Sequence, residues 1–183
     1  MRRFTVLGVV VLALALSAAC SMSDDGMAPA GSSPAERSGT ADARTAAGMT
    51  WARAVATQVG DSIRVQVEAM GMPRGTYAAH IHTTGSCTAP DFTSAGAHWN
   101  PTGQQHGRLN PKGLHKGDLP NLSVGTDGRG SFEFTVPAAW ISGGAMPMLD
   151  ADGAAIVIHA QADDYRSDPS GNAGARIACG VFG

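Results

Sequence analysis

The segment Ile63-Arg64-Val65-Gln66-Val67-Glu68 alternates apolar with polar or charged side chains at every position. Because successive side chains of a β-strand point to opposite faces, this period of two places the three apolar residues on one buried face. Ser131-Phe132-Glu133-Phe134-Thr135-Val136 repeats the pattern soon after Gly125-Thr126-Asp127-Gly128, which is a hairpin-turn signal. The continuous apolar run Ala154-Ala155-Ile156-Val157-Ile158-His159 is typical of a buried strand. These patterns predict antiparallel sheet rather than helix.

Composition extends this prediction to the region from residue 49 to residue 183. The chain has 183 residues with 24 glycines and 10 prolines, and few segments have a helical period. We therefore expect one all-β sandwich or barrel. Two irregular stretches, residues 83–116 and 161–175, are long enough for loops that carry a function. The formal net charge of −2 offers no basic surface for nucleic acid.

The N-terminal region is predicted to be an export signal followed by a tether. Arg2 and Arg3 precede an apolar run, residues 4–16, that is too short to span a bilayer, so we interpret residues 1–19 as a cleaved signal peptide. Small residues directly before Cys20 resemble a bacterial lipoprotein box, which implies lipidation of Cys20 and a membrane anchor. The alternative is ordinary cleavage beside a cysteine with no further role. Residues 20–48, rich in Ser, Ala, Gly, Pro and Asp, are predicted to form a flexible tether.

The six histidines indicate a metal site. They are His80, His82, His98, His106, His115 and His159, and Asp118 follows His115 by three residues. Neutral imidazole is the commonest transition-metal ligand, and five of the six lie in one short stretch. In His80-Ile81-His82, strand alternation places both imidazoles on one face. A His-x-His pair alone is weak evidence, because several classes of metalloprotein use one.

The partners of that pair resemble the copper/zinc superoxide dismutase family, from about Gly71 to Gly183. The similar motifs are Gly71-Met72-Pro73-Arg74-Gly75, Ala97-His98-Trp99-Asn100-Pro101, His115-Lys116-Gly117-Asp118-Leu119 and the closing stretch from Gly171 to Val181. The resemblance implies a Greek-key antiparallel β-sandwich or barrel with long metal-binding and electrostatic loops. Ala78, Ala79 and Trp99 depart from common family residues, and residues 137–150 do not align clearly. We interpret Met146 and Met148 in that segment as packing or loop residues, with copper capture as an alternative.

The resemblance also implies the ligands of two metal ions. It assigns copper to His80, His82, His98 and His159, and zinc to His98, His106, His115 and Asp118. Four imidazoles suit Cu(II), whereas three nitrogens and one carboxylate oxygen suit Zn(II). Since the chain has only six histidines, His98 must be shared.

Further roles follow from the same resemblance. Asp163 is expected to hydrogen-bond one copper-ligating and one zinc-ligating histidine, His80 and His106. Arg176 is expected to attract and position superoxide, because a guanidinium stays charged and offers forked donors to a small anion. With Cys20 assigned to lipid, Cys87 and Cys179 remain, and a disulfide between them suits an exported protein. Arg108, Lys112, Lys116 and Arg166 are candidates for shaping the local field.

The function expected from this resemblance is superoxide dismutation, in which copper alternates between Cu(II) and Cu(I) and His98 is both ligand and proton carrier. The alternative is a non-catalytic lipoprotein that binds copper and zinc on the same scaffold, and a third possibility is a structural sandwich that keeps only the fold. The location expected is the bacterial cell envelope or periplasm. The sequence leaves homodimer and monomer both open.

Overall fold

The structure, a computed structural model, describes residues 37–183. Nine strands and one short 3-10 helix are present there: β1 Ser38–Arg44, β2 Thr50–Val59, β3 Ser62–Met70, β4 Gly75–Tyr77, β5 Ala79–His82, the 3-10 helix Thr93–Ala95, β6 Leu122–Val124, β7 Arg129–Val136, β8 Ala155–His159 and β9 Arg176–Val181. No helix among these residues is long and apolar enough to cross a membrane. The predicted signal peptide, Cys20 and the tether as far as residue 36 lie outside the described residues.

The strands form a curled antiparallel sheet. Seven of them are hydrogen-bonded in the order β5-β8-β9-β1-β2-β3-β7, and β4 pairs with β6 in a second, two-stranded sheet. Only Ala78 separates β4 from β5, and a short turn links β6 to β7. The small sheet is thus connected along the chain to both edges of the large one. The predicted all-β antiparallel fold class is confirmed.

The alternation predicted for β3 is the pattern that builds the core. Ile63, Val65 and Val67 are completely buried, whereas Gln66 and Glu68 are exposed. β3 lies between β2 and β7, in antiparallel register with both strands. Its apolar face packs with residues from β5, β8 and β9 in one hydrophobic cluster. Burial of these side chains is the main favourable term for the fold.

The turn at residues 125–128 forms where the sequence predicts it, but it does not join a paired hairpin. The Gly125 N–H donates to the Arg129 carbonyl at 2.8 Å. The strands on either side nevertheless pair with different neighbours, β6 with β4 and β7 with β3. At Gly130 a Cβ atom would lie 2.0 Å from the Ser123 carbonyl oxygen, so this close approach requires glycine.

The predicted C-terminal limit of the tether was wrong. Residues 38–44 form β1, which pairs with β2 along its length and with β9 at Arg44. Its inward side chains, Ala41 and Ala43, are buried. Alanine and glycine give a weak local strand signal, so the order of β1 comes from its two neighbours rather than from its own composition.

Two long loops lie beside β5 and β8, as the irregular stretches predicted. They comprise residues 83–121 and residues 160–175. The segment between β7 and β8 contributes Met148 to the hydrophobic core, whereas Met146 is exposed. The N–H of Met148 donates to the Trp140 carbonyl at 2.7 Å. Met148 is therefore a packing residue, in agreement with the interpretation from sequence.

Candidate metal centre

Strands β5 and β8 place three histidines on one face of the sheet. On β5, His80 and His82 point to the loop side while Ile81 is part of the core. β5 pairs with β8 so that His80 lies opposite Val157. His159, two residues beyond Val157 and at the end of β8, belongs to the same face. Strand periodicity therefore sets these three ligand positions.

The outer edge of β5 positions the remaining cluster members. The Ile81 N–H donates to the Gly117 carbonyl at 2.9 Å, and the Ile81 carbonyl accepts from the Trp99 N–H at 2.8 Å. Their chain neighbours His98 and Asp118 are thereby held against the strand, in bridge positions opposite His82 and His80. A Cβ atom at Gly117 would lie 2.2 Å from the Ile81 carbonyl oxygen, so only glycine allows this pairing.

The first cluster consists of four buried histidines that each direct one ring nitrogen to a common point. One nitrogen from each ring lies within 4.8 Å of the others. The residues are His80, His82, His98 and His159. The Nδ1 atom of His80 and the Nε2 atoms of the other three are buried and have no hydrogen-bond partner within residues 37–183. A buried nitrogen without a partner costs about 1–3 kcal/mol, and a shared metal ion would satisfy all four at once.

The opposite nitrogens of these rings are held by acceptors. Nδ1 of His82 donates to the Gly96 carbonyl at 2.9 Å. Nδ1 of His159 donates to the Gly174 carbonyl at 3.3 Å. Because a carbonyl oxygen can only accept, each of these contacts fixes the proton on Nδ1 and leaves the lone pair on Nε2. Both rings are therefore oriented with the metal-binding tautomer toward the cluster.

The second cluster is built around Asp118. Its Oδ1 atom lies 2.9 Å from Nδ1 of His98, 2.9 Å from Nδ1 of His106 and 3.2 Å from Nδ1 of His115. Its Oδ2 atom accepts backbone N–H groups from Gly107 and His115. His98 is common to both clusters, since its Nε2 atom belongs to the first and its Nδ1 atom to the second. Three imidazole nitrogens and one carboxylate oxygen are a donor set that suits Zn²⁺.

Asp163 lies between the two clusters. Its Oδ2 atom is 2.9 Å from Nε2 of His80, and its Oδ1 atom is 3.0 Å from Nε2 of His106. The carboxylate therefore contacts the two histidines with which the resemblance paired it. Gly171, with φ +65, covers this contact: a Cβ there would lie 1.9 Å from Oδ1 of Asp163.

Burial keeps imidazoles of the first cluster uncharged, whereas two carboxylates favour the protonated form of His106 in the second cluster. Burial, with repulsion from neighbouring imidazoles, lowers the pKa of His82 to about 2 and that of His159 to about 3. For His98, burial outweighs the hydrogen bond that His98 donates to Asp118 and lowers the pKa to about 4. At neutral pH these rings are uncharged, which is the form that binds a metal.

His106 behaves differently. Burial alone would lower its pKa, but hydrogen bonds with Asp118 and Asp163 outweigh burial and raise the pKa to about 9. The same contacts hold the pKa of each carboxyl well below its usual range. A metal ion bound in the second cluster would take the place of the proton that His106 holds between the two carboxylates.

Arg176 stands at the start of β9, opposite His159 across the strand pair. Its guanidinium donates to the Phe92 carbonyl at 2.8 Å and to the Gly96 carbonyl at 2.7 Å. Gly96 thus accepts from both Arg176 and His82. The side chain is half-buried and borders an open surface depression that Trp51 also lines.

A disulfide joins Cys87 to Cys179, as predicted. Cys179 belongs to β9, and Cys87 belongs to the loop that carries Phe92 and Gly96. The disulfide therefore attaches the loop that carries these two carbonyl groups to β9, the strand from which Arg176 extends.

The four basic residues proposed from the sequence to shape the local field and steer an anion have different surroundings. The guanidinium of Arg108 lies 4.0 Å above the Tyr165 ring, and Lys116 donates to the Pro137 carbonyl at 2.7 Å. Both contacts hold loops together. Lys112 and Arg166 are exposed. A steering role for these residues stays a prediction.

The backbone groups that orient two of the histidines and Arg176 were not predicted from the sequence. The carbonyls of Phe92, Gly96 and Gly174 carry no side-chain signal, so no pattern could have identified them. Asp168 was also missed, although its Oδ1 atom accepts the His106 N–H at 2.6 Å.

Comparison with known proteins agrees with this geometry. The sequence profile of the copper/zinc superoxide dismutase (SODC) family matches residues 51–182. Superoxide dismutase-like protein YojM of Bacillus subtilis is 50% identical over 111 residues, which cover 60% of this chain and 57% of that protein. The Cu-Zn superoxide dismutase of Caulobacter vibrioides is 43% identical over 129 residues, covering 69% of this chain and 74% of that protein.

Solved structures show the same relationship. A superoxide dismutase-like protein from Bacillus subtilis superposes with a TM-score of 0.72 at 39% identity, covering 78% of this chain and 96% of that one. The clock protein EA4 superposes with a TM-score of 0.68 at 31% identity, covering 83% of this chain and 97% of that one. Proteins with different descriptions thus share the fold, so the fold alone does not establish an activity. The profile match and the curated relatives do establish the family: this chain belongs to the copper/zinc superoxide dismutases.

Proposed function

We propose that this protein is a superoxide dismutase that converts superoxide to dioxygen and hydrogen peroxide. The observation that carries the proposal is the set of four buried ring nitrogens without a hydrogen-bond partner among residues 37–183, one of them on His159, which lies opposite Arg176. His80, His82, His98 and His159 would hold copper, and His98, His106, His115 and Asp118 would hold zinc. Copper bound there would supply one-electron oxidation and reduction of superoxide, while zinc would supply a fixed positive charge.

The protein's own residues provide orientation and charge. Two carbonyl acceptors fix the guanidinium of Arg176 next to the strand end that carries His159. A positive group held in that position favours the approach of a small anion over a neutral molecule. His98 has one ring nitrogen in each cluster. Its Nε2 atom can therefore take up a proton while its Nδ1 atom keeps its place in the second cluster.

The test is dismutation by the copper- and zinc-loaded protein, compared with free copper at the same concentration. Arg176→Ala should lower kcat/KM about 10- to 100-fold and weaken its dependence on ionic strength, because local attraction is lost. Arg74→Ala removes the same charge from an exposed position between β3 and β4 and should leave kcat/KM near the wild-type value. A loaded wild-type protein no more active than free copper would refute the enzyme and leave the non-catalytic metal-binding protein as the function.

The same proposal places the protein in the bacterial cell envelope, exported through residues 1–19 and anchored by lipid on Cys20. The disulfide supports an oxidising compartment. If Cys20→Ala left the protein in the membrane fraction of its host cell, the anchor would have to be abandoned.

A further inference from the structure

Asp163 links the two clusters, because it contacts one histidine of each. Each of its carboxylate oxygens contacts one histidine, His80 at 2.9 Å and His106 at 3.0 Å. A displacement of the carboxylate toward one cluster lengthens its contact with the other. The groups that fix Asp163 therefore affect both clusters together.

The Asn121 side chain fixes the backbone of Asp163. Its Oδ1 atom accepts the Asp163 N–H at 2.8 Å, and its Nδ2 atom donates to the Asp163 carbonyl at 3.0 Å. This reciprocal pair satisfies both main-chain groups of the residue. Asn121 directly precedes β6 and follows Asp118 by three residues, so it links the second cluster to the sheet.

Tyr165 forms hydrogen bonds with both Asp163 and Asn121. Its backbone N–H donates to Oδ1 of Asp163 at 2.6 Å, and its hydroxyl accepts the Asn121 N–H at 2.8 Å. Tyr165 has φ +61, which an aromatic residue adopts only where its surroundings hold it. The three residues thus form a closed ring of hydrogen bonds that includes Oδ1 and both main-chain groups of Asp163.

The loop that follows His106 packs against the same tyrosine. The Leu109 N–H donates to the Tyr165 carbonyl at 2.9 Å. The Arg108 guanidinium lies 4.0 Å above the Tyr165 ring. Tyr165 therefore contacts both the residue that bridges the clusters and the loop that carries a member of the second cluster.

We infer that Asn121 and Tyr165 are positioning residues that fix the Asp163 carboxylate and so set the metal affinity and geometry of both clusters. The inference rests on the proposed metal sites, but not on dismutation itself. Without the Tyr165 hydroxyl, the Asn121 N–H loses its acceptor and the ring of hydrogen bonds opens. Without the Asn121 side chain, both main-chain groups of Asp163 lose their partners.

The experiment compares Tyr165→Phe with Tyr77→Phe in the full, disulfide-bonded chain. The Tyr77 hydroxyl donates to the Pro73 carbonyl at 3.0 Å, so the control removes the same group from an exposed site outside the clusters. Zinc affinity is measured by competition with a chromophoric chelator, and the copper environment by electron paramagnetic resonance of the copper- and zinc-loaded protein. Tyr165→Phe should weaken zinc binding about tenfold and change the copper spectrum, whereas Tyr77→Phe should change neither.

Asn121→Ala, which removes two hydrogen bonds, should weaken zinc binding at least as much. Should that variant fail to fold, Asn121→Asp keeps the acceptor for the Asp163 N–H and provides the same comparison. Zinc affinities of the Tyr165 and Asn121 variants within twofold of the Tyr77→Phe value, with an unchanged copper spectrum, would overturn the inference. A wild-type protein without dismutase activity whose variants still lose zinc would refute the proposed function and support the inference.

Discussion

At the scale of single residues, Gly171 shows how closely the loops pack on the metal centre. It combines a positive φ with contact to the Asp163 carboxylate, and a Cβ atom there would also lie 2.7 Å from Nε2 of His106. Asp163 and His106 cannot move away from such a Cβ atom without breaking the hydrogen bond between them. Glycine is therefore required at this position both by its backbone conformation and by space.

Gly171→Ala is expected to weaken zinc binding at least tenfold and to lower the melting temperature. The positive φ alone costs about 1 kcal/mol for alanine, and the clash displaces Asp163. Gly143→Ala is the matched control, because Gly143 has φ +73 and nothing within 4 Å of its Cβ position. Calorimetry on the metal-free variants and zinc titration check the prediction. Equal zinc affinity in the two variants would contradict it.

At the scale of elements, the loop from residue 83 to residue 121 depends on its attachments to two strands. The edge of β5 holds His98 and Asp118 through their neighbours, and the disulfide holds the preceding part of the loop to β9. A small hydrophobic cluster also anchors this part of the loop to β8 and β9. It consists of Phe92, Ala95, Ala155, Val157 and Cys179. The loop is thus irregular in backbone but anchored at several points.

Replacing both Cys87 and Cys179 by serine is expected to lower the free energy of unfolding of the metal-free protein by about 4 kcal/mol. The bridge closes a loop with a sequence separation of 92, which restricts the unfolded chain. Urea unfolding measures the change, and a reductant should destabilise the wild-type protein but not the double variant. A loss below about 1 kcal/mol would show that the bridge contributes little to global stability.

At the scale of the whole molecule, the sheet is continuous only with β1 in place. β1 lies between β2 and β9, and these two strands connect the half of the sheet that carries β3 to the half that carries His80, His82 and His159. Without β1, two strand edges and the alanine-lined part of the core face solvent. The folded domain therefore begins before residue 49.

A chain that begins at residue 37 is expected to fold and bind zinc like the longer chain, whereas a chain that begins at residue 49 should not fold. The reason is the loss of the strand that joins the two halves of the sheet. Circular dichroism, thermal unfolding and size-exclusion chromatography distinguish the two shortened chains. A cooperative transition of the shorter one within about 5 °C of the longer one would show that β1 is dispensable.

The strands that could be predicted from the sequence are those whose own residues carry a clear hydrophobic pattern. β3, β7 and β8 were identified from the sequence because their side chains alternate or form apolar runs over six residues. β1 was missed because its inward residues are alanines. The turn at residues 125–128 was identified, but the pairing of the strands around it was not, because strand pairing depends on how the whole sheet curls.

By itself, the sequence determined the antiparallel β class, the strand face shared by His80 and His82, and, through its motifs, the resemblance to a metalloenzyme family. These features depend on residue type and on the period of two, both of which are local. Only the tertiary structure decided that Gly96 accepts from both His82 and Arg176, and that Asn121 and Tyr165 form hydrogen bonds with Asp163 and with each other. Those contacts join residues up to 80 positions apart, many through backbone groups that every residue possesses, so their pairing is fixed only when the sheet and its two loops are assembled.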